Sequence, residues 1–206
     1  MSRLVRNYGE IICFIGSLLI LLSLIIFRWI GYEQFTNGYL VGEDFNILNS
    51  LFFLDAFKNG FVMFYTFSSG FTLLILSVYF MYGRGGTKLK FFPILILVVL
   101  PIPFLTGFSH NVTFRFSYGF IIALVGSCMI FISSLSSKQI IDEKYLTKLR
   151  VYTFAIIGIL SILGVISSFF TSYMMGKSFF SAKNDFHLIL IGIVTLISSV
   201  MSRKNI

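Results

Sequence analysis

Residues able to carry acid–base or metal chemistry are few in this sequence. His110, His187 and Asp185 come nearest to a donor set, since imidazole and carboxylate ligands suit zinc and its neighbours. Nothing in the sequence requires the three to lie together. Asp185 has a simpler use, because a carboxylate just before an apolar run caps a helix and meets its dipole. Glu43 and Asp44 are the nearest pair of carboxylates, but chain neighbours do not converge on one substrate. The stretch "YGRGGTK" (82–88) lacks the GxxxxGK[ST] spacing of a phosphate loop and reads as a flexible turn. "NVT" at Asn111 is a glycosylation sequon in a short loop. HExxH, GxSxG and cofactor signatures are absent. The sequence therefore offers no catalytic, cofactor or metal residue, and no cofactor is expected.

The segments that would position any such residues are apolar. Hydrophobic residues make up 57% of the chain, 26 residues are Phe, and charged residues make up 12%. That composition belongs to membrane proteins. A net charge of +8, scattered between apolar runs, fits lipid headgroups and orientation signals better than nucleic acid. Runs of roughly 20 apolar residues cross the ~30 Å hydrocarbon layer. The spans expected on this basis are 11–29, 61–82, 91–108, 116–137, 151–173 and 186–201. The fold class is thus all-α, a six-span helix bundle forming one integral membrane domain over 1–206. The first span reads as an uncleaved helix with Arg28 and Trp29 as interface anchors, because no small-x-small cleavage site follows it.

Orientation follows from lysine and arginine. Six spans leave eleven basic residues on the side of both termini and five on the other. The positive-inside rule then puts both termini in the cytoplasm and the chain in the plasma membrane. Ionisable groups are missing from the span centres, where proton relays and ion-coupled transporters usually carry them.

Three local features stand out. Pro101 and Pro103 fall late in the third apolar segment, where a missing N–H ends or kinks a helix, whereas Pro93 suits a first turn. In the first outside loop, residues 44–57 show helical apolar spacing with Asp44 as a cap. That interfacial helix would offer Leu48, Leu51, Phe52 and Leu54 to lipid or to a partner. Finally, "IICFIGSLLILLS" (11–23) and "IIALVGSCMIFIS" (121–133) share the pattern IIxxxGSxxIxxS. Small residues recur in both spans: Cys13, Gly16 and Ser23 in the first, and Gly119, Ala123, Gly126, Ser127 and Ser133 in the fourth. Such residues let membrane helices approach closely.

The first four spans resemble a diffuse class of uncharacterised small polytopic prokaryotic membrane proteins. There, a first helix such as "GSLLILLSLIIFRW" ends in Trp, an outside loop follows, and a fourth helix opens with "YGFIIALVGS". The likeness covers roughly residues 9–137, and Arg28 stands where the class often has Pro. It implies a fold and no activity. The reading that results is an accessory or assembly subunit of a membrane complex, with the bilayer and other membrane subunits as partners. A small channel or transporter component, lined by hydroxyls such as Ser68, Ser69, Ser161 and Ser167, is the alternative. A membrane enzyme acting on lipid or quinone comes third.

Overall fold

The computed structural model describes residues 8–36, 39–52, 60–82, 88–102, 112–135, 143–174 and 185–203. Leu54, Pro103, His110, Asn111 and most of the 82–88 stretch lie outside them. Helix α1 (Gly9–Ile26) is followed by strands β1 (Ile30–Thr36) and β2 (Tyr39–Phe45) and a 3-10 helix (Ile47–Phe52). Helix α2 is Gly60–Met81, and a 3-10 turn (Leu89–Phe91) runs into α3 (Phe92–Val99). Then come β3 (Val112–Phe116), α4 (Tyr118–Ser133), α5 (Glu143–Met174) and α6 (Phe186–Arg203). The fold is mostly helical. Among the described residues, three helical segments are long and apolar enough to cross a membrane: Gly9–Ile26, Gly60–Met81 and Lys148–Thr171.

The all-α expectation needs correcting at one end of the bundle. There β1 is the middle strand of an antiparallel sheet of order β2-β1-β3. Partner residues across strands share a face. Ile30, Phe45 and Phe116 form a row, of which Ile30 and Phe45 are fully buried. Gly31, Asp44 and Arg115 form the next row on the opposite face. Asp44 therefore belongs to a strand and caps nothing in the expected 44–57 helix. The helical part that is described is shorter, Ile47–Phe52. Its cap is Asn46, whose Oδ1 accepts the Leu48 N–H at 3.0 Å. Ile47 and Leu48 are fully buried, both close to Gly70 of α2. Leu48 is thus core and presents nothing to a partner, whereas Phe52 is exposed and stacks edge-on against Phe186.

Within the third apolar segment the described helix α3 covers eight residues, Phe92–Val99, and residues 103–108 lie outside the described ones. Pro93 sits in the first turn as expected, and helix α3 stops two residues before Pro101. Leu100 keeps helical dihedrals and its N–H still donates to the Ile96 carbonyl at 2.8 Å, whereas Pro101 has no N–H to continue the ladder. Helical turns over Leu89–Val99 rise about 16 Å, about half a bilayer core, and the later part of the expected 91–108 span lies outside the described residues.

Helices α1 and α4 pack antiparallel, and they meet at the shared sequence pattern. A methyl added at Gly16 would lie 2.6 Å from the Gly126 carbonyl oxygen, and one at Gly126 would lie 2.5 Å from the Gly16 carbonyl. The two copies thus cross at their matching glycines, backbone against backbone. The serines of the pattern also match. Ser17 bonds the Cys13 carbonyl at 2.7 Å, and Ser127 bonds that of Ala123 at 2.8 Å. Ser23 and Ser133 bond the carbonyls of Ile20 and Ile130, each at 2.6 Å. Cys13 faces α2, its thiol 3.9 Å from the Phe80 carbonyl, and Cys13 and Cys128 are both free thiols. Helices α5 and α6 form a second antiparallel pair, joined to the rest mainly through α6.

Candidate functional site at the sheet end

A helix leaves its last carbonyls without partners in its own backbone. At the end of α1 these groups would face a largely apolar core, so the chain must supply donors from elsewhere. It does so with three side chains. The Trp29 indole N–H donates to the Ser23 carbonyl at 2.9 Å. The Asn46 amide donates to the Leu24 carbonyl at 2.6 Å and to that of Phe27 at 3.2 Å. His187 Nε2 lies 3.1 Å from the Ile25 carbonyl. Trp29 is therefore fully buried core and not the interface anchor expected from its place after an apolar run. Its ring packs against Gly119 and edge-on to Phe120, and its backbone N–H donates to the Phe45 carbonyl at 3.0 Å.

His187 is buried in the first turn of α6 and holds three elements together. A ring nitrogen facing a carbonyl must donate, so Nε2 carries the proton. The His187 backbone N–H donates to Asn49 Oδ1 at 2.9 Å, which assigns the two ends of that amide. The Asn49 Nδ2 then faces His187 Nδ1 at 3.0 Å and donates to it. Both ring nitrogens and both amide ends are engaged in the neutral imidazole form. In this arrangement His187 has no free lone pair for a metal. Among the described residues, no group of three His, Cys, Asp or Glu could hold one. Asp185 accepts a hydrogen bond from the Ser168 hydroxyl, which ties the start of α6 to α5.

Two clefts flank this joint. One of about 240 Å³ is lined by Arg28, Asp44, Asn46, Asn49, Asp185 and His187, among others. The other, about 450 Å³, lies over the sheet between Arg28, Tyr32, Glu33, Asp44 and Arg115. There Arg115 pairs with Glu33 at 3.4 Å and with Asp44 at 3.5 Å. Arg28 Nη1 donates to the Asp44 backbone carbonyl at 2.5 Å. Gly31 makes the ion pair feasible, because a side chain there would occupy the place of the Asp44 carboxylate. Glu43 and Asp44 are successive in β2 and point to opposite faces, so they form no paired carboxylate site.

Fold and site define a mostly helical protein with, among the described residues, three helices fit to cross a membrane and a small sheet closing one end. No protein-family profile, curated protein or solved structure matches the chain.

Proposed function

We propose that this chain is a multi-pass integral membrane protein, crossing six times with both termini cytoplasmic, and that it serves as an accessory or assembly subunit of a membrane complex. The observation that carries the reading is the bare face of α5. Only 17% of its Lys148–Thr171 window is buried, against 50% in α1 and 44% in α2. Tyr152, Ile156, Leu160, Leu163 and Phe170 stand exposed along it. Each such side chain gains about 1.5–3 kcal/mol when covered by apolar material. Acyl chains and the helices of a neighbouring subunit are the two available covers. Hydroxyls within the bundle favour this reading over a conducting path. Ser69, Thr66 and Ser198 return theirs to carbonyls of their own helices at 2.7–2.9 Å, as buried hydroxyls in apolar helices do.

Mild detergent extraction followed by cross-linking and identification of co-purifying chains tests the role. A defined heteromeric complex is expected, and a lone monodisperse protein with lipid over α5 overturns it. Reporter fusions after Lys90, Arg150 and Ile206 test the topology separately. All three should report cytoplasm, from the eleven-to-five distribution of basic residues. An external signal at Arg150 removes one of the crossings before it.

A further inference from the structure

A groove of mixed charge runs off the sheet and onto α4. The cleft over the sheet shares Arg115 and Asp44 with a second cleft of about 360 Å³, whose other walls are Phe116, Ser117, Tyr118 and Ile121. Gly31 and Gly42 lie on the sheet face that carries Glu33, Asp44 and Arg115, so no side chain of theirs fills the floor.

Polarity is ordered along this groove. Ile121 stands at its apolar end, exposed on α4 together with Tyr118 and Val125. Spacings of three and four residues put them on one face of the helix. Next come the Arg115 guanidinium and Ser117, the N-cap of α4, whose hydroxyl makes no capping bond. Arg28 lines the cleft from the link between α1 and β1, also at the helix end. Asp44 follows. Glu33 is farthest from the helices, two residues and about 7 Å beyond Gly31 along β1. Apolar, then cationic, then anionic is the complement of acyl chain, phosphate and ammonium in an aminophospholipid. Arginine suits phosphate oxygens because its donors form a planar fork. Arg115 already meets Glu33 at 3.4 Å and Asp44 at 3.5 Å. Ion pairs of that length between exposed groups add little, and a guanidinium has further N–H groups to give.

We propose that this groove binds the headgroup of an aminophospholipid, with the phosphate on Arg115 and Ser117, the ammonium between Glu33 and Asp44, and an acyl chain along Ile121 and Val125. The proposal rests on α1 and α4 crossing the membrane, and is independent of the subunit role. The leaflet at the sheet end supplies the lipid. A primary ammonium donates hydrogen bonds to both carboxylates. A trimethylammonium has no N–H to donate, and a glycerol headgroup brings no positive charge, so the groove discriminates among headgroups.

Native mass spectrometry of the full chain in mild detergent tests this, with equal amounts of phosphatidylethanolamine, phosphatidylcholine and phosphatidylglycerol carrying the same acyl chains. Phosphatidylethanolamine should be retained about tenfold more than either competitor, the difference that one charge-assisted hydrogen bond makes. R115Q should bring the three lipids level. E33K should invert the order and favour phosphatidylglycerol, a switch that a misfolded chain cannot produce. Glycerophosphoethanolamine, the water-soluble headgroup, should not displace the lipid at equal concentration. Equal retention of the three lipids by the parent overturns the proposal, as does a preference that survives R115Q or E33K unchanged. Displacement by the soluble headgroup overturns the lipid assignment. An alkaline wash of membranes separates the premise from the site. Release of the parent chain sinks the membrane reading and this proposal with it, whereas headgroup-blind binding by a chain that stays in the membrane sinks the site alone.

Discussion

The α1–α4 and α5–α6 pairs are both antiparallel and both use glycine, yet they are built differently. In the first, glycine meets glycine, and the atoms in the way of any side chain are carbonyl oxygens. In the second, Gly158 faces the Leu196 side chain and Gly192 faces Ile162, so a knob fills each gap. Backbone-to-backbone contact allows no adjustment, whereas a side chain can turn. The comparison shows where this chain is rigid by construction and where it has tolerance. The rigid pair lies inside the bundle, and the tolerant pair carries the bare face of α5.

Substitutions can break this contrast. Gly126→Ala should have the largest effect, because its new methyl meets the Gly16 carbonyl at 2.5 Å and Ile20 at 3.0 Å. Overpacking of this kind costs about 1–3 kcal/mol, and we expect the upper part of that range in unfolding from mixed micelles. Gly158→Ala, with Leu196 Cγ at 2.6 Å, should cost about 1 kcal/mol, because the leucine can shift. Equal losses at the two sites would erase the distinction. Ser127→Ala should cost least, within about 0.5 kcal/mol of the parent, since its hydroxyl bonds only the carbonyl of Ala123 on its own helix. A larger loss there would mean that the serine joins helices after all.

The helices were legible because long apolar runs leave little choice. α2 covers Gly60–Met81 where the sequence predicts 61–82, and α6 starts at residue 186 as predicted. The shared IIxxxGSxxIxxS pattern marked two helix faces suited to close packing, without saying which helix each would meet. The sheet was harder to see. Its signals are the Asn37–Gly38 dipeptide between the paired Thr36 and Tyr39, and short period-2 stretches on either side. The helical spacing of residues 44–57 hid them, because it runs across the end of β2 and the whole 3-10 helix Ile47–Phe52. The sheet-end joint had no local signal at all. Asn49 and His187 lie 138 residues apart, and each alone is an ordinary polar residue beside an apolar run.

The donors that close the end of α1 also set an order of assembly. Trp29 and Asn46 emerge from the ribosome soon after the carbonyls they serve. The partner of the Ile25 carbonyl comes 162 residues later, on the last helix described. Contacts of such separation form late, because the whole intervening chain must be closed first. Until α6 docks, that carbonyl lacks the partner that His187 supplies, so the end of α1 is closed late. A chain halted before α6 therefore carries an unfinished seam at its sheet end.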